Sequence, residues 1–460
     1  MRTPQHACKR ILLVLALWSA ASANALDLLE TWERARTHDA QMAVVQATRG
    51  SAQAFQAQAG AVWRPSLLAN ATAGLASART DTLGAQFSAP GFGQSNGVSF
   101  GTSIHQGTST RWSLSAKQAL YNPERDAQKA QLEKNAEMAE LRADSAQQTL
   151  MLETAQRYFD LVLAERKLAV LQQQYSAVNR AWTEAKDRFA IGDMPITDIH
   201  EAAARASGLQ AQVLAADSEL QMVRVVLSES TGLSSVALKV LRPQAQTSQE
   251  AGQELLTVLA QAQGNNLSLR TQQAAVSMAQ QEVRKHSLRA SATLDAVAAL
   301  GHERLSGNGD FGTAANTQNQ QMIGLSLTIP LYTGGWREGK LQESLSAQDK
   351  LSAELELMRI QVGQQTRRAW LALQSGQAQV SALTEALNAH RARLDATRLG
   401  RQVGDRTTQE LLNAENEAAN TELALLAAQT QRLYQSLTLE ALTGSLSVQS
   451  LARVNAQLAP

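Results

Sequence analysis

The sequence predicts a mainly α-helical chain with a transmembrane β part, built from one half-molecule written twice. Three observations predict it. Motifs in the first half recur in the same order in the second. Four segments alternate apolar and polar side chains, the period-two signature of a strand with two unlike faces. The longest helical stretches repeat apolar residues every seven positions, which marks coiled-coil packing.

The chain opens with Arg2, Lys9 and Arg10, then the apolar run "ILLVLALW", then a small-x-small cleavage site at Ala23-Asn24-Ala25. That order is a secretory signal peptide over residues 1–25, too short to span a membrane. Removing it takes away three cationic side chains and no anionic one, so the formal charge falls from +1 to −2. Nucleic acid then has no electrostatic reason to bind. Cys8, the only cysteine, leaves with the leader, and it precedes the apolar run where a lipid-bearing cysteine would follow it. The mature chain is therefore expected to carry no acyl anchor, disulfide, cysteine-based metal site or cysteine nucleophile. No later stretch reaches the about 18 apolar residues that a spanning helix needs.

The duplication is read directly from matching motifs. "LDLLETWERARTHDAQMAVVQATRGSAQA" pairs with "QELLTVLAQAQGNNLSLRTQQAAVSMAQQ", and "LSAKQALYNPERDAQKAQ" with "LSLTIPLYTGGWREGKLQ". The offset is 227 residues from Leu28 to Leu255 and 212 from Thr231 to Thr443, so the first half holds a longer insertion. The expected divisions are a first repeat 26–232, a linker 233–252, a second repeat 253–444 and a tail 445–460. Each repeat reads helix, two strands around a loop, long helix, tight tip, helix.

The strands are expected at about 65–76, 111–121, 292–301 and 322–332. Their apolar sets are Leu67, Ala69, Ala71, Ala73 and Leu75; Trp112, Leu114 and Ala116; Leu294, Ala296, Ala298 and Leu300; and Ile323, Leu325, Leu327, Ile329 and Leu331. Each run is roughly ten residues, the length of a tilted strand crossing a bilayer. Trp63, Trp112, Tyr121, Tyr332 and Trp336 fall at the strand ends, where interfacial aromatic belts lie. A soluble half-buried sheet is the alternative for any one strand; four alike behind a signal peptide favour the membrane. The Gly-, Ser-, Thr- and Asn-rich stretches between them are expected to be long exterior loops.

The helices keep their sevens. One seam runs Leu161, Leu168, Tyr175, Trp182 and Phe189, with Ala164, Leu171, Val178 and Ala185 beside it. The next runs Ile199, Ala206, Val213, Leu220 and Leu227, and the second repeat follows with Val380 and Leu387, then Leu411, Ala418 and Leu425. From Pro123 to Phe189 nothing breaks the pattern, a rod of roughly 100 Å at about 1.5 Å per residue. Each rod ends in a short tip, at Gly192-Asp193 and at Gly404-Asp405.

"GGWREGKL", from Gly334, imitates a phosphate-binding loop, but Leu341 stands where Ser or Thr must hold magnesium. The strand before it alternates, whereas the strand of a phosphate loop is buried on both faces. Gly334 and Gly335 are better read as the strand-to-helix turn. The histidines of the mature chain show no ligand-spaced pair and no GxSxG element occurs, so no cofactor, metal site or enzyme activity is expected.

Four strands cannot close a barrel, and open edges in lipid leave backbone groups unpaired. Three copies would supply twelve strands, with the rods forming a second, helical tube. The repeat, "IPLYTGGWREGKL", "RFAIGDMPITDIHEA" and "RQVGDRTTQELLNAENEAANTELALLAAQTQRLYQSLTLEALTGSL" resemble the TolC family of trimeric outer-membrane exit ducts. The resemblance implies a homotrimer with a 12-stranded β-barrel in outer-membrane lipid and a coiled-coil α-barrel across the periplasm of a Gram-negative cell, and no catalysis. It also implies a periplasmic adaptor (membrane fusion) protein and an inner-membrane ABC or proton-driven pump as partners. Members close their tips through polar links; carried over by position, these fall on Thr197, Asp198 and Arg406. Arg401 stands where the family has an aromatic gate residue, Glu410 and Asn413 replace a pair of aspartates at the entrance, and Pro195 is unusual. Type I protein secretion and small-molecule efflux both remain open. A periplasmic coiled-coil tether without a pore is the reading from another class.

Overall fold

In a computed structural model the described residues are 27–91, 93–192, 195–233, 242–243, 254–287, 292–310 and 312–459. The expected signal peptide, most of the expected linker and Asp193 of the first tip lie outside them. The first repeat contains α1 (Leu28–His38), α2 (Ala40–Ala61), β1 (Ser66–Ala89), β2 (Gly93–Tyr121), α3 (Pro123–Ala190) and α4 (Ile196–Thr231). After the two-residue β3 (Arg242–Pro243), the second repeat gives α5 (Leu255–Asn265), α6 (Leu267–Ser287), β4 (Thr293–Gly309), β5 (Gly312–Thr328), α7 (Trp336–Gln402) and α8 (Thr408–Leu442). The tail holds α9 (Val448–Asn455) and the two-residue β6 (Leu458–Ala459), which pairs with β3.

The chain forms two units, and each draws on both repeats. One comprises residues 46–145 and 267–361 and contains the large sheet; the other comprises the remainder and contains both tips. In the first unit α3 meets α6 and α7 through Met138, Ala274, Ala275 and Leu351, with Arg337 on Glu124 at 2.7 Å. In the second unit α1 packs on α4 and α9. Trp32, Leu28 and Ala35 are buried there. Asp27 caps α1 by accepting from the Glu30 N–H at 2.6 Å. Asn455 of α9 donates to the same carboxylate at 3.0 Å and accepts from the Leu28 N–H at 3.0 Å.

The heptad residues form the seam. Leu161, Ala164, Leu168, Ala216, Leu220 and Leu227 make one buried cluster between α3 and α4, flanked by Leu171, Val213 and Val223. Val380, Leu387, Leu425 and Ala428 make its counterpart between α7 and α8. Full burial of a Leu contributes about 1.5–3 kcal/mol, so these stripes outweigh any exposed ion pair along the same helices. Buried Thr154 and Thr366, 212 residues apart like the repeat termini, both donate to the carbonyl four residues back, at 2.7 and 2.8 Å. Neither hydroxyl is left unsatisfied.

Three sequence expectations are corrected. The strands do not stop where the Gly/Ser/Thr-rich stretches begin: β1 reaches Ala89, β2 starts at Gly93, β4 reaches Gly309 and β5 starts at Gly312. The expected exterior loops are therefore hairpin extensions with short turns. Antiparallel partners satisfy each other's backbone whatever their side chains, and Thr is itself a good strand former. Irregularity is absorbed as register shifts in the β1–β2 pair at 76–78 and 82–87. Conversely, β5 ends at Thr328 rather than near 332, since Pro330 has no N–H for a ladder. The single leading helix of each repeat is two, broken at Asp39 and Asn266.

Those breaks explain the matched glycines. Gly232 closes α4 against His38, the last residue of α1, and Gly444 closes α8 against Asn265, the last residue of α5. Gly444 has φ 69°, and a Cβ there would lie 2.3 Å from the Asn265 carbonyl oxygen. Gly444→Ala is expected to destabilise the chain by roughly 1–3 kcal/mol, seen as a lower melting temperature by circular dichroism in detergent. Gly60→Ala, in α2 with nothing within 4 Å of the new methyl, should be neutral or stabilising by about 0.5–1 kcal/mol.

Candidate functional site

Two surfaces carry chemistry. The first is the sheet, ordered β1-β2-β4-β5 and antiparallel throughout. Direct cross-strand partners share a face, so the register decides whether the four apolar sets combine. They do. One rung runs Leu67, Ala116, Ala298, Ile323; the next runs Ala69, Leu114, Leu300, Gln321; the next runs Ala71, Trp112, His302, Asn319. The face is bare: Ile323 is 91% exposed, Leu75 84% and Leu325 68%. Such a continuous uncovered apolar surface requires a nonaqueous partner.

The opposite face is polar and internally neutralised. Arg111 grips Glu303 across the ladder with Nη2–Oε1 at 2.7 Å and Nε–Oε2 at 3.1 Å. Lys117 meets Asp295 at 2.8 Å. The turn-side edge of the apolar face is diagonal, falling at Ile323 on β5, Leu300 on β4, Trp112 on β2 and Leu75 on β1. A band parallel to a membrane surface crosses the rungs obliquely when the strands are tilted, as in membrane barrels. Among the described residues no helix is long and apolar enough to cross a membrane.

Of the aromatics, Trp63, Tyr121, Tyr332 and Trp336 lie at the helix end of the sheet, and Trp336 meets His286 edge-on at 6.1 Å. Trp112 is not at a strand end, because β2 continues past it to Gly93; it marks the opposite edge of the apolar band instead. Gly334 and Gly335 have φ 64° and 81° in open space, so they serve the backbone reversal from β5 into α7.

The second surface is the pair of hairpin tips. At the end of α7, Gly404 has φ 85°, its N–H reaches the Arg401 carbonyl at 3.1 Å, and the Asp405 N–H reaches the Gly400 carbonyl at 2.9 Å. These two hydrogen bonds satisfy carbonyls the helix would otherwise leave open. Thr407 then starts α8 with a capping box, accepting from the Glu410 N–H at 3.2 Å while Glu410 accepts from the Thr407 N–H at 2.8 Å. Arg406 bonds Glu410 at 3.0 Å and lies over Gly400, where a Cβ would meet its Cγ at 2.7 Å. Glu410 is held below the usual carboxylate range, first by the Thr407 N–H and then by Arg406.

The first tip is described at Gly192 and from Pro195 onward. Gly192 has φ 80° and bonds the Phe189 carbonyl at 2.9 Å; Pro195 precedes α4 without a side-chain cap. The Thr197 hydroxyl donates to Asp198 at 3.2 Å, and Asn413 accepts from Gln409 at 3.2 Å. Within one chain Arg406 is thus occupied by Glu410 rather than Asp198. Arg401 bonds Glu184 of α3 at 2.6 Å, and Arg188 shares that carboxylate at 3.2 Å. Arg166 of α3 likewise meets Glu422 of α8. The reading of sequence alone did not identify Glu184 or Gly400. Glu184 meets Arg401 only through the phase of α3 against α7, and Gly400 meets Arg406 only through the fold of the tip. Among the described residues no group of three or more His, Cys, Asp or Glu could hold a metal.

Residues 31–233 and 258–445 match the family described as outer membrane efflux protein. The chain is 28% identical over 305 residues to outer membrane protein TolC of Vibrio cholerae, covering 65% of this chain and 69% of that protein. Against the TolC relatives as a group the match spans 62–69% of their length. It is 26% identical over 457 residues to the proteases secretion protein PrtF of Dickeya chrysanthemi, covering 97% of this chain and 95% of that protein. The solved structure of the outer membrane protein VceC of Vibrio cholerae shares the fold with a TM-score of 0.69 at 17% identity, over 91% of this chain and 96% of that one.

Two outcomes are expected. Leu325→Arg, on the apolar face, should cost about 2–4 kcal/mol of membrane stability and deplete the membrane fraction, while Ser326→Arg, on the polar face, should insert normally. Glu410's contribution at the tip is complete above the ordinary Glu value near about 4.3 and is lost as pH falls through its lowered folded value. Hydrogen exchange at 406–411 should therefore accelerate on acidification, and Glu410→Gln should abolish that dependence.

Proposed function

The chain belongs to the outer membrane efflux protein family and is an outer-membrane exit duct of a Gram-negative bacterium, and on that premise we propose that three copies form a passive pore with no chemistry of its own. The observation that carries this reading is the in-register apolar face, uncovered on a sheet too small to close. A periplasmic tether without a pore would leave that face in water. The homotrimer works with a periplasmic adaptor and an inner-membrane pump, which supply energy and cargo choice. Type I protein secretion is the better supported branch, because the near-full-length relative is named a proteases secretion protein.

We assign the tips as the periplasmic gate. Arg401 on Glu184 ties the second hairpin to the first within one copy, while Thr197, Asp198, Arg406, Glu410 and Asn413 face the entrance formed with neighbouring copies. Half-exposed ion pairs contribute only about 0–1 kcal/mol each, so such a gate is weak enough for a partner to release.

In a planar bilayer the purified protein is expected to give discrete single-channel steps; a chain that never conducts would favour the tether. Arg401→Ala, Glu184→Ala, Asp198→Ala and Arg406→Ala should each raise single-channel conductance by loosening the tip. Unchanged conductance in all four removes the gate assignment while leaving the pore intact.

A further inference from the structure

The turn-side margin of the apolar face ends in a basic, hydroxyl-flanked rung, and we propose that this rung, centred on Arg304, binds a phosphorylated glycolipid headgroup of the outer leaflet. The proposal rests on the lipid-facing reading of the face given above.

Arg304 shares a face with Leu294, Ala296, Ala298, Leu300 and His302, since β4 runs without a register break against β5. Its direct neighbours are Thr110 on β2 and Thr317 on β5. The cations of the opposite face are paired, Arg111 with Glu303 and Lys117 with Asp295. Arg304 differs: it is exposed, and among the described residues no carboxylate lies within salt-bridge distance of it. An unpaired guanidinium at the margin of a hydrocarbon band gains most from a planar, multidentate anion, and phosphate fits its fork.

The height agrees. Arg304 lies four residues beyond Leu300, about 13 Å along the strand at about 3.3 Å per residue. A tilt of roughly 40° reduces that to about 10 Å along the membrane normal. The headgroup layer is about 5–8 Å deep on each side, and a long Arg side chain can lean back into it. One rung nearer the hydrocarbon, Trp112 stacks on His302 with centroids 6.1 Å apart, and His302 Nδ1 is fixed by Asn319 at 2.8 Å. These rings form a flat amphipathic floor at the boundary. One rung farther out come Thr108 and Ser306. Hydroxyls on both sides of a lone cation suit a sugar phosphate better than a bare phosphodiester.

The test uses the full-length trimer, purified in detergent and offered phosphorylated lipid A, dephosphorylated lipid A, phosphatidylglycerol or inorganic phosphate, with retained ligand read by native mass spectrometry. Wild type should retain phosphorylated lipid A about tenfold more than its dephosphorylated form. Arg304→Ala should erase that preference, Arg304→Lys should keep part of it, and both variants should keep wild-type conductance and an SDS-resistant trimer. Equal retention by wild type and Arg304→Ala overturns the site. Equal uptake of phosphatidylglycerol overturns the glycolipid assignment, and competition by inorganic phosphate at equal concentration overturns the lipid. A wild-type protein that fails to enter vesicles overturns the lipid-facing reading itself, an outcome distinct from a variant that inserts but still retains lipid A.

Discussion

Hydrogen bonding at the two open edges of the sheet governs the rest of the molecule. Among the described residues, the outer edge of β1 and the outer edge of β5 each present a row of backbone N–H and C=O groups with no strand partner. In water such an edge is a liability; in hydrocarbon each unpaired group costs several kcal/mol. The apolar face draws the sheet into lipid, and lipid then forces the edges to close. One edge belongs to the first repeat and the other to the second, so closure joins unlike halves of neighbouring copies in a repeating head-to-tail ring. Head-to-tail contacts form closed rings when the rotation per copy divides a full turn.

The helical part solves a different problem with the same duplicated plan. Heptads of Leu, Val and Ala hold α3 to α4 and α7 to α8 by burial, which is strong and indifferent to direction. Between one hairpin and the other, polar ties stand beside the apolar cluster of Met138 with Leu351: Arg166 to Glu422 and Arg401 to Glu184. The tip of α7–α8 is internally complete, with satisfied carbonyls, a capping box and Arg406 seated over Gly400. It can therefore swing without unwinding.

Much of this was legible in the sequence because periodicity is a local property. The apolar sets on all four strands, the rod from Pro123, the two tips and the glycine turn at 334–335 follow from residues within a few positions of one another. Strand extent was not legible: Gly, Ser, Thr and Asn spell a loop locally, and only a paired neighbour turns them into a ladder. Register was also hidden, although the meaning of Arg304 depends on it. At the tips, the carry-over by position marked both Arg406 and Glu410 but not their bond to each other, which forms in the same turn where the capping box already uses that carboxylate. Arg401 read as a departure from an aromatic pattern; its ion pair with Glu184 needs the phase of α3 against α7, which no single helix encodes.

Closure of the sheet by copies of itself is best measured by edge-to-edge cross-linking in a chain whose lone cysteine, Cys8, is replaced by Ser to remove background. One cysteine is placed at Ala71 on β1 and a second is scanned from Thr317 to Ile323 on β5, in membranes under mild oxidation. A disulfide ladder that rises to three copies and stops there, at one or two adjacent β5 positions only, is the expected result. A chain that stays monomeric at every position, or a ladder that climbs without end, would contradict a closed twelve-stranded cylinder.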